Sequence, residues 1–375
     1  MIFKIKRSFF KKMITLLIVL AVVTLGVFMF VNTQRFGRTP QGERLERIKG
    51  SPNYLNGKFR NIHETPQLTS DKSFVGALVE FLFKKKERFR PDREIPSVKT
   101  DLKSIDESED LVVWFGHSSY IFQLDRKKIL VDPVLSNVAS PVGFFNGSFN
   151  GTDIYKPEDM PNVDYLIITH DHWDHLDYPT IKTLKPKIGK VICGLGVGEH
   201  FERWGFNPDI IVEMDWNEQI VLDAGVELFC LPARHFSGRG FSRDKSLWVS
   251  FMYVTDTYKL YIGGDSGYGE HFASIGERFG TIDMAILENG QYSKDWKYIH
   301  LSPDETLKAA KDLNAKYLFP VHNSRYALGN HPWDEPMEQI LTLYIDYKFR
   351  LLTPMIGEKV YLYQPQTFKP WWKDL

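Results

Sequence analysis

Thr169 to His175 reads Thr-His-Asp-His-Trp-Asp-His, directly behind the apolar run Tyr165-Leu166-Ile167-Ile168. Three histidines and two aspartates this close together restrict the fold more than any other stretch. Val163–Thr169 is apolar enough for a buried strand, so the polar residues stand where that strand leaves its sheet. In extended chain, residues two apart point the same way, and His170 and His172 can meet one ion. Asp174 and His175 follow as the chain turns toward the next helix, placed to serve a second ion. Imidazole nitrogen and carboxylate oxygen both suit zinc at about 2.0–2.2 Å. Buried without metal, such a set would need many hydrogen-bond partners.

Four local ligands undersupply two ions, and strand ends elsewhere offer more. His235 follows Leu228–Leu231 and a short loop, Asp265 follows Leu260-Tyr261-Ile262-Gly263-Gly264, and His322 follows Tyr317–Val321. Three polar residues that each cap a hydrophobic strand would gather at one sheet edge. Further strands are expected at Leu111–Phe115, Tyr120–Leu124, Ile129–Asp132, Lys190–Cys193, Gln219–Leu222, Val226–Leu231, Leu247–Val254, Lys259–Ile262 and Met284–Leu287. Helices are expected at Gly198–Trp204, Gly269–Phe279, Ser302–Leu313 and Asp334–Tyr347. The third opens on Ser302-Pro303-Asp304-Glu305, with a capping serine, a proline and a glutamate three after the cap. Helices between strand-rich blocks predict a layered α/β body.

The order His-x-His-x-Asp-His, a later His, an Asp after a Gly-rich strand end and a final His resembles the metallo-β-lactamase fold over roughly residues 111–360. That resemblance implies an αββα sandwich with the site at the sheet edges. It implies that His170, His172 and His235 hold one zinc, that Asp174, His175 and His322 hold the second, and that Asp265 bridges them. A narrower set is similar to N-acylphosphatidylethanolamine-hydrolysing phospholipase D and its bacterial relatives. It comprises Trp114–Ser119, Asp132-Pro133, Ala139–Pro141, Pro232–Gly240, Gly263–Tyr268 and Tyr298–Pro303, with connector pieces before them. By that likeness His300 stands near the substrate phosphate. Asp132 either orients a ligand histidine through its second ring nitrogen or turns the chain before a proline. His117 stands either behind the ligands or simply in a strand turn.

The N-terminus predicts a membrane tether. Met13 to Val31 carries no charge, and Lys4, Lys6, Arg7, Lys11 and Lys12 precede it without an acid. As a helix rising about 1.5 Å per residue, it nearly spans a ~30 Å hydrocarbon core. A cleaved signal's apolar region is usually about 7–15 residues long, and no Ala-x-Ala site follows this one. Residues 1–34 are therefore read as an uncleaved single-pass anchor, 35–110 as a connector packing on the catalytic body, and 111–375 as the hydrolase domain. The short basic tail resists translocation, which places that domain outside the cytoplasm. Within the connector, Ser73–Phe83 is expected as an amphipathic helix ahead of a basic stretch, docked on the body or dipping into lipid. Lys plus Arg and Asp plus Glu both number 47, so no global field draws the chain to nucleic acid. Cys193 and Cys230 lie in apolar runs and are expected as buried thiols.

The chemistry expected is that of a membrane-tethered dizinc hydrolase. Two zincs about 3.5–4 Å apart share and ionise a bridging water, so no serine or cysteine need attack. Asp174 steers that hydroxide, His300 meets the phosphate, and the substrate is a phospholipid-like diester. Other readings fit the same residues: a lactonase or another ester or thioester hydrolase on this fold, a catalytically inactive tethered binding protein, or a site holding Mn2+ or Fe2+ instead of zinc.

Overall fold

The computed structural model describes residues 2–73, 76, 79–80, 87–223 and 225–375. The helix expected at Ser73–Phe83 lies mostly outside the described residues.

Strand alternation builds the body in four layers. In Leu111–Trp114, Val112 and Trp114 face one way and Leu111 and Val113 the other; Lys127–Val131 splits Ile129 and Val131 from Leu130, and Val163–Ile168 splits Tyr165 and Ile167 from Leu166 and Ile168. One set joins Leu228, Cys230, Phe251, Tyr253, Leu260, Ile262, Met284 and Ile286 of a second sheet in a central core. The opposite face of the first sheet packs on helices Tyr178–Leu184 and Gly198–Arg203 through Ile181, Leu184 and Phe201. The outer face of the second sheet packs on helices His271–Phe279, Pro303–Asp312 and Glu335–Leu343 through Phe272, Leu307 and Ile340. Each such side chain, fully buried, stabilises the fold by about 1.5–3 kcal/mol. This is the αββα sandwich expected from the resemblance.

The two sheets repeat one pattern. The first runs Lys359–Tyr361, Leu111–Trp114, Tyr120–Leu124, Lys127–Val131, Val163–Ile168, Ile188–Gly194, Ile211–Met214; the second runs Arg350–Leu351, Ala315–Val321, Ile282–Glu288, Lys259–Ile262, Ser250–Val254, Val226–Leu231, Gln219–Asp223. Lys127–Val131 through Ile211–Met214 are mutually parallel, as are Lys259–Ile262 through Arg350–Leu351. Parallel pairing sends all their C-terminal ends to one edge. Val226–Leu231 and Leu111–Trp114 each lie two antiparallel steps from a parallel strand, so they point the same way.

Several elements differ from expectation. Leu247–Val249 is not strand: its amides reach Leu195 O and Thr169 O at 2.8 and 3.0 Å, tying the second sheet's approach to the first. The last helix stops at Leu343 and tightens into a 3-10 turn at Tyr344–Asp346. Glu305 accepts from the Ser302 amide at 3.1 Å, closing the expected cap. Cys193 and Cys230 are buried free thiols.

Ahead of the body, Ile2–Val31 forms one helix. Its portion Phe9–Val31 is 23 residues long, is exposed along its length apart from contacts at its last turn, and is long and apolar enough to cross a membrane. Connector residues pack firmly: Ile48, Phe59 and Ile95 enter the central core, and Leu102 and Ile105 an outer one. Arg44, on helix Gly42–Lys49, forks onto Glu199 and Glu202 at 2.7 and 2.6 Å.

Candidate metal centre

The strand ends that parallel pairing brings to one edge carry the polar residues of the site. Val163–Ile168 delivers His170, His172, Asp174 and His175; Val226–Leu231, Lys259–Ile262 and Ala315–Val321 deliver His235, Asp265 and His322. Side-chain nitrogens and oxygens of this set fall into groups of His170, His172 and His235, of His117, Asp174, His175 and His322, and of His170, His175 and Asp265. All seven residues expected as ligands therefore meet in one place. Asp171 and Trp173, from the same motif, turn away. Asp171 accepts from Gly238 N at 2.7 Å and Ser246 Oγ at 2.8 Å, and Trp173 lies under the Arg239 guanidinium.

The hydrogen-bond chemistry of the first group suits a cation. His235 Nδ1 lies 2.8 Å from Ile299 O, which only accepts, so that nitrogen carries the proton. Thr169 Oγ1 donates to Asp132 at 2.6 Å and accepts from His170 Nδ1 at 3.1 Å. Neutral His170 and His235 thus both aim bare Nε2 lone pairs at His172 Nδ1, 2.9 and 3.2 Å away. One proton on His172 cannot fully satisfy both. Ligands about 2.1 Å from a tetrahedral zinc sit roughly 3.4 Å apart, close to this spacing.

The second group shows the same deficit. His175 Nδ1 donates to Asp132 Oδ2 at 2.8 Å, so its Nε2 faces the carboxylates of Asp265 and Asp174; His322 Nε2 is buried without a hydrogen-bond partner among the described residues. Asp265 lies between the groups. Its Oδ2 is 3.2 Å from His175 Nε2, 3.7 Å from His235 Nε2 and 3.8 Å from His170 Nε2. These residues fit a pair of divalent ions.

Electrostatics keep four of the imidazoles ready for metal. Burial, reinforced by neighbouring histidines, holds His170, His235 and His322 well below the usual histidine range. Burial lowers His172 to about 4 despite nearby carboxylates. His175 goes the other way: burial opposes protonation, but Asp265, Asp174 and Asp132 together raise it well above its ordinary value. That excess negative potential is where positive charge belongs.

The residues left open by sequence now have places. Asp132 orients His175 directly and His170 through Thr169, and so serves both groups. His117 Nε2 meets Asp174 Oδ2 at 2.8 Å, and its ring packs 4.1 Å from that of His322. His117, Asp132 and His322 all adopt positive φ, of 53°, 41° and 64°, a conformation that costs non-glycine residues about 1–2 kcal/mol. His300 lines the cavity beside the site, with Nδ1 2.6 Å from Glu288 Oε2. Glu288 was not foreseen. It is fully buried at the end of Ile282–Glu288, accepts from Ser266 N at 2.6 Å, and burial raises its carboxyl well above the usual range. The cavity holds about 460 Å³, with Leu68, Phe236, Trp296, Ile299 and Leu328 facing the polar floor.

Comparison with known proteins agrees. The family model described as Beta-lactamase superfamily domain matches residues 127–323. The chain is 35% identical over 327 residues to an uncharacterised protein of Mycobacterium tuberculosis, covering 86% of this chain and 88% of that one. It is 30% identical over 256 residues to N-acyl-phosphatidylethanolamine-hydrolyzing phospholipase D 1 of Caenorhabditis elegans, covering 63% of this chain and 70% of that one. A metallo hydrolase of the archaeon Ignicoccus hospitalis shares the fold at a TM-score of 0.53 and 20% identity, covering 70% of this chain and all of that one. The chain belongs to the metallo-β-lactamase superfamily of metal-dependent hydrolases.

Proposed function

We propose that the protein is a membrane-tethered dizinc phosphodiesterase of phospholipase D type, acting on N-acylphosphatidylethanolamine-like lipids. One observation carries this reading: seven ligand side chains converge on the polar floor of an otherwise apolar cavity. Such a cavity suits an amphiphile with a charged centre and greasy arms. Likeness to the Caenorhabditis elegans phospholipase D supports the diester.

Zinc held by these residues supplies Lewis acidity and a nucleophilic water near neutral pH. His170, His172 and His235 would hold one ion, Asp174, His175 and His322 the other, and Asp265, whose carboxylate lies between the groups, would serve both. Asp174, fixed by His117, accepts a hydrogen bond from the attacking water and aims it at phosphorus. His300, held by Glu288, steadies the phosphoryl group or the departing alcohol from the cavity wall. Leu68, Phe236 and Trp296 exclude bulk water and grip the acyl arms. The helix Phe9–Val31 anchors the chain as a single span, and its basic leader keeps the body on the extracytoplasmic side.

A panel of an N-acylphosphatidylethanolamine, a soluble lactone and a thioester tests this, run on wild type and His300→Ala. Lipid cleavage releasing phosphatidic acid is expected. His300→Ala should retain its zinc and lose roughly 10²–10⁴ in rate, the usual worth of a positioned proton-transfer group. Lactone or thioester turnover without lipid cleavage would reject the substrate class.

A further inference from the structure

A second cavity, of about 280 Å³, lies at the end of the apolar helix. Val31 and Asn32 border it on one side and the loop 238–246 on the other, and it shares no lining residue with the metal cavity. Four cationic side chains reach its wall: Arg38, Arg203, Arg239 and Lys245. Among the described residues the one carboxylate in that wall is Asp171.

The positive charge is largely uncompensated. Arg38 is neutralised by Glu199. Asp171 is saturated by His200 Nε2 at 3.1 Å, Gly238 N and Ser246 Oγ. Arg203, Arg239 and Lys245 form no carboxylate ion pair among the described residues. They donate instead to backbone carbonyls: Arg203 to Asn32, Lys245 to Gly57, and Arg239 to Arg35, Asp171 and Leu176. Arg203 Nε is buried with no acceptor among the described residues. One buried and two half-buried cations that lack a carboxylate partner, with one donor unmet, suit an anion.

Position says which anion. The apolar segment ends at Val31, so a cavity walled by Val31 and Asn32 sits at headgroup depth. One large exposed aromatic lines it, and a second stands on a loop tied to the segment after the helix. Phe241, 83% exposed, is part of the wall; Phe144, 91% exposed, is on a loop held to Arg35 through the Pro141 carbonyl. Such side chains gain free energy at a bilayer interface and lose it in water.

We infer that this juxtamembrane cavity binds the phosphate of an anionic glycerophospholipid, with Phe144 and Phe241 entering the acyl layer beside it. The inference rests on the helix being a membrane span. It adds a lipid site apart from the catalytic one. The loop is common to both, since Phe236 and Arg243 face the metal cavity while Gly238–Gly240 and Lys245 face this one.

Full-length protein in nonionic detergent, titrated with dioctanoyl phosphatidylglycerol, dioctanoyl phosphatidylcholine or inorganic phosphate, tests it. Saturable binding of the anionic lipid is expected, tighter than either other ligand. It should survive in His172→Ala and weaken about fivefold for each charge removed in Arg203→Gln and Lys245→Gln. Hydrolysis of a soluble diester should be unchanged in those two variants. Melting curves separate loss of the site from loss of the fold, and Lys245→Gln stands alone if Arg203→Gln unfolds. Equal affinity for phosphatidylcholine, equal affinity for phosphate, or binding abolished only by His172→Ala would each overturn the inference. Carbonate extraction of the full chain from phosphatidylcholine vesicles tests the span separately: release of the protein sinks the anchor, whereas retention without anionic preference sinks this site alone.

Discussion

Asp132 shows how much one side chain outside the ligand set decides. Its carboxylate accepts a hydrogen bond from His175 Nδ1 and another from the Thr169 amide at 2.9 Å, and through the Thr169 hydroxyl fixes the tautomer of His170. Asp132→Ala should therefore weaken metal affinity by about 10–100-fold with the fold retained. Chelator competition measures this, and unchanged affinity would show that the ligands orient themselves. The seven ligand candidates were legible because His and Asp crowd together in the 170–175 motif and because His235, Asp265 and His322 each follow an apolar strand, although any one of them alone could have been a turn residue. Glu288 escaped, although the rule that found His235, Asp265 and His322 applies to it: it ends an apolar strand already marked at Met284–Leu287. The partner of His235 was not legible. Ile299 acts through its carbonyl, and the position of a carbonyl follows from the fold and not from residue type.

At the scale of elements, the site exists because parallel strands end together and the turns after them are tight. Gly264, just after Lys259–Ile262, is one such case. Its φ is +60°, and a Cβ there would stand 2.8 Å from Thr169 Cβ. Gly264→Ala should cost about 2 kcal/mol or more, combining left-handed strain with the clash. It should also loosen metal binding by displacing Thr169 from Asp132. Denaturant unfolding with and without zinc checks both, and a variant as stable and as tight as wild type would refute the packing argument. Strands rich in apolar residues and bounded by turn residues were readable; Tyr120–Leu124, Val226–Leu231 and Lys259–Ile262 match to the residue. Tyr178–Leu184 was not, being seven residues with a proline inside its first turn. Lys359–Tyr361 has three residues and is strand only because Leu111–Trp114 offers it an edge.

At the scale of the whole molecule, the layered core was legible from the alternation of strand blocks and helices, whereas the closing of the chain's end onto the first sheet was not. The same core sets a pH limit. Burial raises the thiols of Cys193 and Cys230 well above their ordinary value, and raises the phenols of Tyr253, Tyr258, Tyr261 and Tyr326. The folded chain keeps protons that the unfolded chain releases, first from thiols near pH 9.0 and then from phenols near 10.0. Their contribution to stability is complete below that range and is lost as pH rises through it. The melting temperature should therefore fall steadily from about pH 9 to 11; a flat profile there would contradict the burial of these groups. The central claim is that strand ends some 150 residues apart in sequence, from His170 to His322, grip a pair of ions bridged by Asp265. Elemental analysis of the purified full-length chain tests it most directly. A pair of zinc ions per chain is predicted for wild type, and Asp265→Ala should lose zinc and hydrolysis together. A wild type that purifies metal-free and takes up no divalent ion, or an Asp265→Ala variant that keeps both its metal and its activity, would contradict it.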